Sequence, residues 1–309
     1  MDYFKNLMVG LALGEQDKAK IRYAGLVSWL ASSERITFSH IIGRGQIPEH
    51  SEAGALSSIK AETKDLMKEL VEKYYDGDPA TRIEYDVILE SPLVEIDILR
   101  ALKEKEADLI ILGRISGEFT GRETVPVKIS RKAAGSTLYV PDEVEPRTNQ
   151  PEDINILVPI DFSENAADAM GLAVDFAVTH EIPSIYCVHV HDVPLGYYKR
   201  GKEYEEFAEV MEKNAKKRCQ EFIKGINFKG IYLNPIILRM DKKPYKTIIE
   251  TVEEYGIDLI IIGSRGKKAA ARLLLDSVTE QLIRTTTAPL LSFKKKDKDM
   301  SLLEALLRL

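Results

Sequence analysis

Asp258-Leu259-Ile260-Ile261-Ile262-Gly263-Ser264-Arg265-Gly266 is the stretch from which the fold can be read. Four consecutive large aliphatic residues between an acid and a glycine leave no polar face, so the run predicts a strand buried on both sides. The glycines that follow predict a loop whose main-chain N–H groups approach an anion closely, because glycine has no side chain in the way and tolerates positive φ. Further on, Asp276-Ser277-Val278-Thr279 predicts the start of a helix, with a capping residue and two hydroxyls near its positive dipole end. Lys267, Lys268 and Arg272 lie between the two segments and add local positive charge.

The same unit occurs upstream. Asp108-Leu-Ile-Ile-Leu-Gly113 stands 150 residues before Asp258–Gly263, and Asn6-Leu-Met-Val-Gly-Leu11 stands 149 residues before Asn155-Ile-Leu-Val-Pro-Ile160. Two repeats in 309 residues predict two domains, over 1–142 and 154–296. Between them, 141–153 holds three prolines, five acidic residues and no apolar periodicity, which predicts an exposed linker over 143–153. After the charged run Lys294 to Asp299, Leu302, Leu303, Leu306 and Leu307 share one helical face, so 297–309 predicts a C-terminal amphipathic helix.

Outward from these anchors the elements alternate. The second half reads as strand Ile156–Ile160, helix Glu164–Thr179, strand Ser184–His191, helix Tyr204–Ile226, strand Tyr232–Leu238, helix Pro244–Tyr255, the strand before Gly263, helix Ser277–Thr286 and strand Pro289–Phe293. The first half repeats the order with strands at Leu7–Leu11, Ile36–Ile42, Ile83–Leu89, Leu109–Leu112 and Thr137–Val140. Its helices are read at Lys18–Ala31, Ala55–Tyr75 and Val94–Lys105. Apolar strands alternating with helices predict an α/β fold of two tandem doubly wound domains with parallel sheets covered on both faces.

Composition narrows the function classes. The chain is 44% hydrophobic and 30% charged, with a net charge of −6. Nucleic-acid binding draws its affinity from lysine and arginine neutralising phosphates, so no nucleic-acid partner is expected, while a small nucleotide needs only local positive charge. No apolar run reaches transmembrane length, and the opening segment lacks a charged leader, so a cytoplasmic protein without a membrane partner is expected. The two cysteines, Cys187 and Cys219, lack metal or redox spacing and read as reduced thiols.

Open parallel sheets bind ligands beyond the carboxyl ends of their strands, where the strand order reverses. Asp161, after the first strand of the second half, and the Gly263 loop would face each other there. Asp161 could accept hydrogen bonds from a sugar or base, or simply end a strand, with Ser163 capping the next helix. His189 and His191 share one strand face, but no third ligand lies near in sequence, so no metal site is expected. No catalytic serine–histidine–acid or cysteine–histidine order stands out, and no catalytic residue is assigned.

Taken together, Asn155-Ile-Leu-Val-Pro-Ile-Asp-Phe-Ser163, Val188-His-Val-His-Asp192 and Gly263-Ser-Arg-Gly266 with Ser277-Val-Thr279 resemble the universal stress protein family in its tandem form. The resemblance implies an adenine nucleotide alpha hydrolase-like fold, with five parallel strands per domain in the order 3-2-1-4-5. It implies pairing of domains through their last strands, here as an intramolecular pseudo-dimer of the two halves, with a homodimer as a further option. Some family members bind ATP, so ATP, with or without Mg²⁺, is the expected ligand of the second domain. Asp161 and Val190 match positions that contact adenosine, Val190 through its main chain, and Pro159 lies beside them. Gly263, Arg265, Gly266, Ser277, Val278 and Thr279 match the phosphate segment.

One departure bears on affinity. Asp276 stands where the family motif has its third glycine. A carboxylate about 4 Å from a phosphate charge costs about 1 kcal/mol in water and about 4 kcal/mol at an effective dielectric near 20. Weakened nucleotide binding is therefore expected, with Arg265, Lys267, Lys268 or Mg²⁺ offsetting the repulsion. The first domain departs further: Gly10-Leu-Ala12 has no acid at the Asp161 position, Ser116 replaces the second glycine and Pro126 the third. That domain is expected to bind no nucleotide and to serve as structure. The functional expectation is an ATP-binding regulatory or sensing module with at most weak ATPase activity. The alternative is an interaction scaffold without nucleotide.

Overall fold

The computed structural model describes residues 3–47, 53–91, 93–114, 125–133, 135–142, 144–147, 150–193, 204–264 and 278–295. The first half runs β1 (Asn6–Leu11), α1 (Asp17–Ala31), β2 (Arg35–Gly43), α2 (Ala53–Tyr74), β3 (Arg82–Ser91), α3 (Val94–Glu104), β4 (Leu109–Arg114), α4 (Val125–Lys132) and β5 (Ser136–Pro141). The second runs β6 (Ile156–Pro159), α5 (Glu164–Thr179), β7 (Ser184–His191), α6 (Tyr204–Lys224), β8 (Tyr232–Arg239), α7 (Pro244–Glu254), β9 (Leu259–Gly263), α8 (Val278–Thr285) and β10 (Leu290–Phe293).

All these strands join one sheet, in the order β3-β2-β1-β4-β5-β10-β9-β6-β7-β8. Within each half the pairings are parallel, and each half follows the order 3-2-1-4-5. At the centre β5 and β10 pair antiparallel, with Leu290 opposite Tyr139, Leu291 opposite Leu138 and Ser292 opposite Thr137. This pairing satisfies two strand edges that would otherwise present unpaired N–H and C=O groups.

The aliphatic runs become central strands because both faces are covered. α1, α2, α5 and α6 share one apolar cluster that crosses the two halves. Phe4 of the first half packs at 6.4 Å from Phe176 and at 6.1 Å, edge to face, from Phe293 of the second. The opposite face carries Ile98, Ile110 and Ile129 in one cluster, and Ile248, Ile260 and Leu282 in another. Val127 of α4 belongs to the latter, so the halves also meet on that side.

Two features differ from the sequence expectation. α4 was not foreseen, because Val125, Val127 and Ile129 alternate like a strand and Pro126 stands among them; proline is tolerated in the first turn, and Val127 and Ile129 are buried. The described residues of 143–153 are partly exposed, yet stapled to both halves. Glu145 pairs with Lys18 and Arg22 of α1, and Arg147 makes a two-pronged contact with Asp258 at 2.8 and 3.0 Å.

Arg114, at the end of β4, reaches from the first half into the second. Its guanidinium is buried and donates to the main-chain carbonyls of Arg284, at 2.5 Å, and Thr286. Those carbonyls close the carboxyl end of α8, where a cation also meets the negative dipole end. Arg114→Ala is expected to lower the unfolding free energy by about 2 to 3 kcal/mol in urea titration. A loss below about 0.5 kcal/mol would show that the contact is dispensable.

Candidate functional site

β6 has β7 on one side and β9 on the other, so the strand order of the second half reverses at β6. Of the expected site residues, Pro159, Asp161, Val190 and Gly263 lie at or just beyond the carboxyl ends of these strands. Pro159 is buried and lies opposite Val188 in register. Val190 and Val278 are half-buried and pack against the same apolar cluster, which brings the end of β7 and the start of α8 onto one face of the sheet. Thr279 follows in the first turn of α8. Arg265, Gly266, Asp276, Ser277 and the basic residues between them lie outside the described residues, as does 297–309.

Asp161 is exposed just beyond β6, and its carboxylate accepts the N–H of Ser163 at 3.0 Å. Ser163 caps α5 by accepting the N–H of Ala166 at 3.3 Å, and Phe162 between them adopts a left-handed φ of 66°. Asp161 thus shapes the turn into α5 while keeping an exposed carboxylate at the crevice. Gly263 has a packing reason to be glycine: a Cβ there would stand 2.0 Å from the main-chain oxygen of Asn165, so α5 could not approach β9. Next to it, Ser264 donates its N–H to the Phe293 carbonyl at 2.9 Å, while its buried side-chain hydroxyl has no partner among the described residues.

Sequence reading weighed His189 only as a metal ligand, and the structure gives it another role. Its Nδ1 donates to the Ile160 carbonyl at 2.9 Å, and its ring lies 4.3 Å from that of Phe162, which Arg218 covers from α6 at 4.6 Å. His40 makes the same bond to Leu11 at 2.9 Å in the first half. Two histidines spaced by the repeat were the available signal. The repeat also places Asp108 and Asp258 alike, accepting the N–H groups of Asn6 at 2.9 Å and Asn155 at 2.8 Å. Among the described residues no three His, Cys, Asp or Glu side chains gather as a metal site.

The first half fills the corresponding place with its own charges. Asp17 is fully buried, and its carboxylate accepts the N–H groups of Ala12 at 3.0 Å, Leu13 at 2.6 Å and Gly14 at 3.3 Å. Lys20, buried beside it, lies 2.5 Å from that carboxylate and donates to the Gly10 carbonyl at 2.8 Å. Its stem would sit 3.2 Å from a Cβ on Gly113. Ala166 and Ala169 take these two helix positions in the second half. The signal for Asp17 was an acid in the first turn of α1, overlooked because an acid was sought only at Ala12.

Breaking a buried charge pair from one side leaves the other uncompensated, so Asp17→Ala is expected to cost about 3 to 5 kcal/mol in chemical denaturation. A change under about 1 kcal/mol would contradict the account of a buried, bonded pair. His191 is buried, and neither ring nitrogen finds a hydrogen-bond partner among the described residues. Burial first holds its pKa below the ordinary histidine range, helped by His189 and Arg239 and opposed by Glu212 and Asp192. Burial likewise lowers His189, where the Ile160 carbonyl opposes the shift. A depressed folded-state pKa means that the unfolded chain binds the proton more tightly. The stability from neutral imidazoles is therefore present above about pH 6.5 and is lost as pH falls. His191→Leu is expected to raise stability at pH 7 by about 1 kcal/mol and to flatten its decline toward pH 5 in thermal melts. An unchanged pH slope would contradict this.

A family model described as universal stress protein family matches residues 155–294. A universal stress protein of Methanocaldococcus jannaschii is 31% identical over 157 residues, covering 46% of this chain and 95% of that protein. Another, of Bacillus subtilis, is 27% identical over 154 residues, covering 44% of this chain and 95% of its own length. Among solved structures, a universal stress protein from Archaeoglobus fulgidus matches with a TM-score of 0.66 at 19% identity, over 94% of this chain and 99% of that one. That likeness shows the fold across both halves. With nearly the whole of the 31% identical relative matched and the family's strand order present in the sheet, the chain belongs to the universal stress protein family.

Proposed function

We propose that the second half, residues 154–296, binds an adenine nucleotide at the carboxyl ends of β6, β7 and β9, and that the chain acts as a regulatory or sensing module. The ligand is ATP, with or without Mg²⁺. The observation that supports this reading is that Pro159, Asp161, Val190 and Gly263 lie at or just past the strand ends where the order reverses, with Val190 and Val278 packed on one cluster. Asp161 and the main chain of Val190 would hold the adenosine. Gly263, Arg265, Gly266, Ser277, Val278 and Thr279 would hold the phosphates. The Ser264 hydroxyl, without a partner among the described residues, is a further polar group available there.

In this reading the chain is a tandem duplication whose first half, 1–142, braces the second as an intramolecular pseudo-dimer through β5 and β10, with 143–153 as linker. The Asp17–Lys20 pair in the first half supports a single nucleotide site per chain. Hydrolysis would be slow, because no general base is placed to activate water among the described residues. No described helix is long and apolar enough to cross a membrane, and the two cysteines are free, which fits a reducing, cytoplasmic location. A scaffold without nucleotide is the second reading, favoured by Asp276 at the third glycine of the motif.

Nucleotide extracted from the purified chain, together with titration calorimetry, separates the two. ATP is expected to be released and to rebind, Asp161→Ala to weaken binding, and Asp276→Gly to tighten it about tenfold or more. Absence of binding by both wild type and Asp276→Gly at millimolar ATP would leave the scaffold reading.

A further inference from the structure

The chain has two cysteines, and the fold brings them together. Cys187 lies in β7 on the same face as His189, two residues on. That face is covered by α6. The Phe162 ring lies tilted against His189 at 4.3 Å and also meets Phe222 at 5.9 Å and the Arg218 guanidinium at 4.6 Å, so the 218–222 turn of α6 lies over β7 near residues 187–189. Cys219 belongs to this turn, and both thiols are buried in one cluster. The two thiols lie close enough that Cys219, with burial, raises the pKa of the Cys187 thiol. We propose that Cys187 and Cys219 form an oxidisable dithiol, which closes to an intramolecular disulfide when the folded chain meets a hydroperoxide.

Position divides the roles. Cys187 is held within the sheet in β7, whereas Cys219 sits on α6, the thinly buried layer above it. Cys219 is therefore the sulfur that meets the peroxide first and supplies a thiolate. It attacks one peroxide oxygen, the O–O bond breaks, and the leaving alkoxide takes a proton to depart as water or an alcohol. Cys219 is then a sulfenic acid. The Cys187 sulfur attacks it, the S–O bond breaks, and the Cys187 proton leaves with the hydroxyl as water. The peroxide is reduced by two electrons, and the two thiols are oxidised to one disulfide.

Access comes from the position of the pair in the sheet. β8 is an edge strand, its residues are exposed or half-exposed, and α6 buries only Phe207, Ala208, Ala215 and Cys219. A layer with so few buried residues opens locally without unfolding the central strands. The disulfide would tether α6 to β7 three residues before Val190, and a cellular thiol would reverse it.

The full chain is treated with hydrogen peroxide at pH 7, then alkylated and mapped by mass spectrometry. Both thiols are expected to disappear together, with the loss of two hydrogen atoms in mass and recovery of a linked Cys187–Cys219 peptide that a dithiol reductant separates. Cys187→Ser is expected to stop at a sulfenic acid trapped by dimedone, and Cys219→Ser to slow oxidation of Cys187 by about tenfold or more. The wild-type peptide map decides the matter even if a serine variant fails to fold. Two surviving thiols in folded protein under conditions that oxidise the urea-unfolded chain, or a disulfide joining two chains, would overturn the proposal.

Discussion

The antiparallel pairing of β5 with β10 is the constraint on which the rest of the architecture depends. Each five-stranded parallel half would otherwise end on a fully buried, aliphatic strand with one bare edge, in which Leu138, Val140, Leu290 and Leu291 would face water or another chain. Joining those edges merges two sheets into one and lets a single apolar layer run beneath α1 and α5. The surrounding contacts reinforce the join. His180 donates to the Leu30 carbonyl at 2.9 Å between α5 and α1, and Lys294 donates from its main chain to Ser136 at 3.0 Å. Arg114 closes the end of α8 from the other half, so the helix that begins beside the candidate site is anchored by the neighbouring repeat.

With the frame shared, the two halves differ in what occupies their strand ends. Both use the left-handed turn, at Leu13 and Phe162, and both pin the first strand with a histidine. In the first half, a carboxylate and an ammonium from the chain itself saturate the turn. In the second, alanines let α5 settle against Gly263, and the acid has moved to Asp161 at the surface. The buried ion pair of the first half is costly to break from either side, and so holds that turn rigid.

Much of this was legible in the residues. The repeated Asp–aliphatic–Gly strands disclosed two doubly wound halves, because buried parallel strands must be apolar on both faces while the flanking helices carry a 3.6-residue period. Pro159, Asp161, Val190 and Gly263 were legible as strand-end positions for the same reason. α4 was not, since alternating Val125, Val127 and Ile129 obey the strand period and only burial against both halves makes them helical. Asp17 and Lys20 were missed because their importance lies in which N–H groups they reach, a matter of three-dimensional turn geometry. The pairing of Cys187 with Cys219 depends on how α6 crosses β7, which the spacing of two cysteines does not encode.

In the proposed function the two halves are asymmetric: one would receive a nucleotide and its twin would support it. Amide hydrogen exchange of the full chain with and without ATP tests this most directly. The account predicts slowed exchange around residues 160–163, 189–191 and 278–280, with exchange at 12–17 and 113–114 unchanged. Equal protection in the two halves, or none in either at saturating ATP, would contradict it.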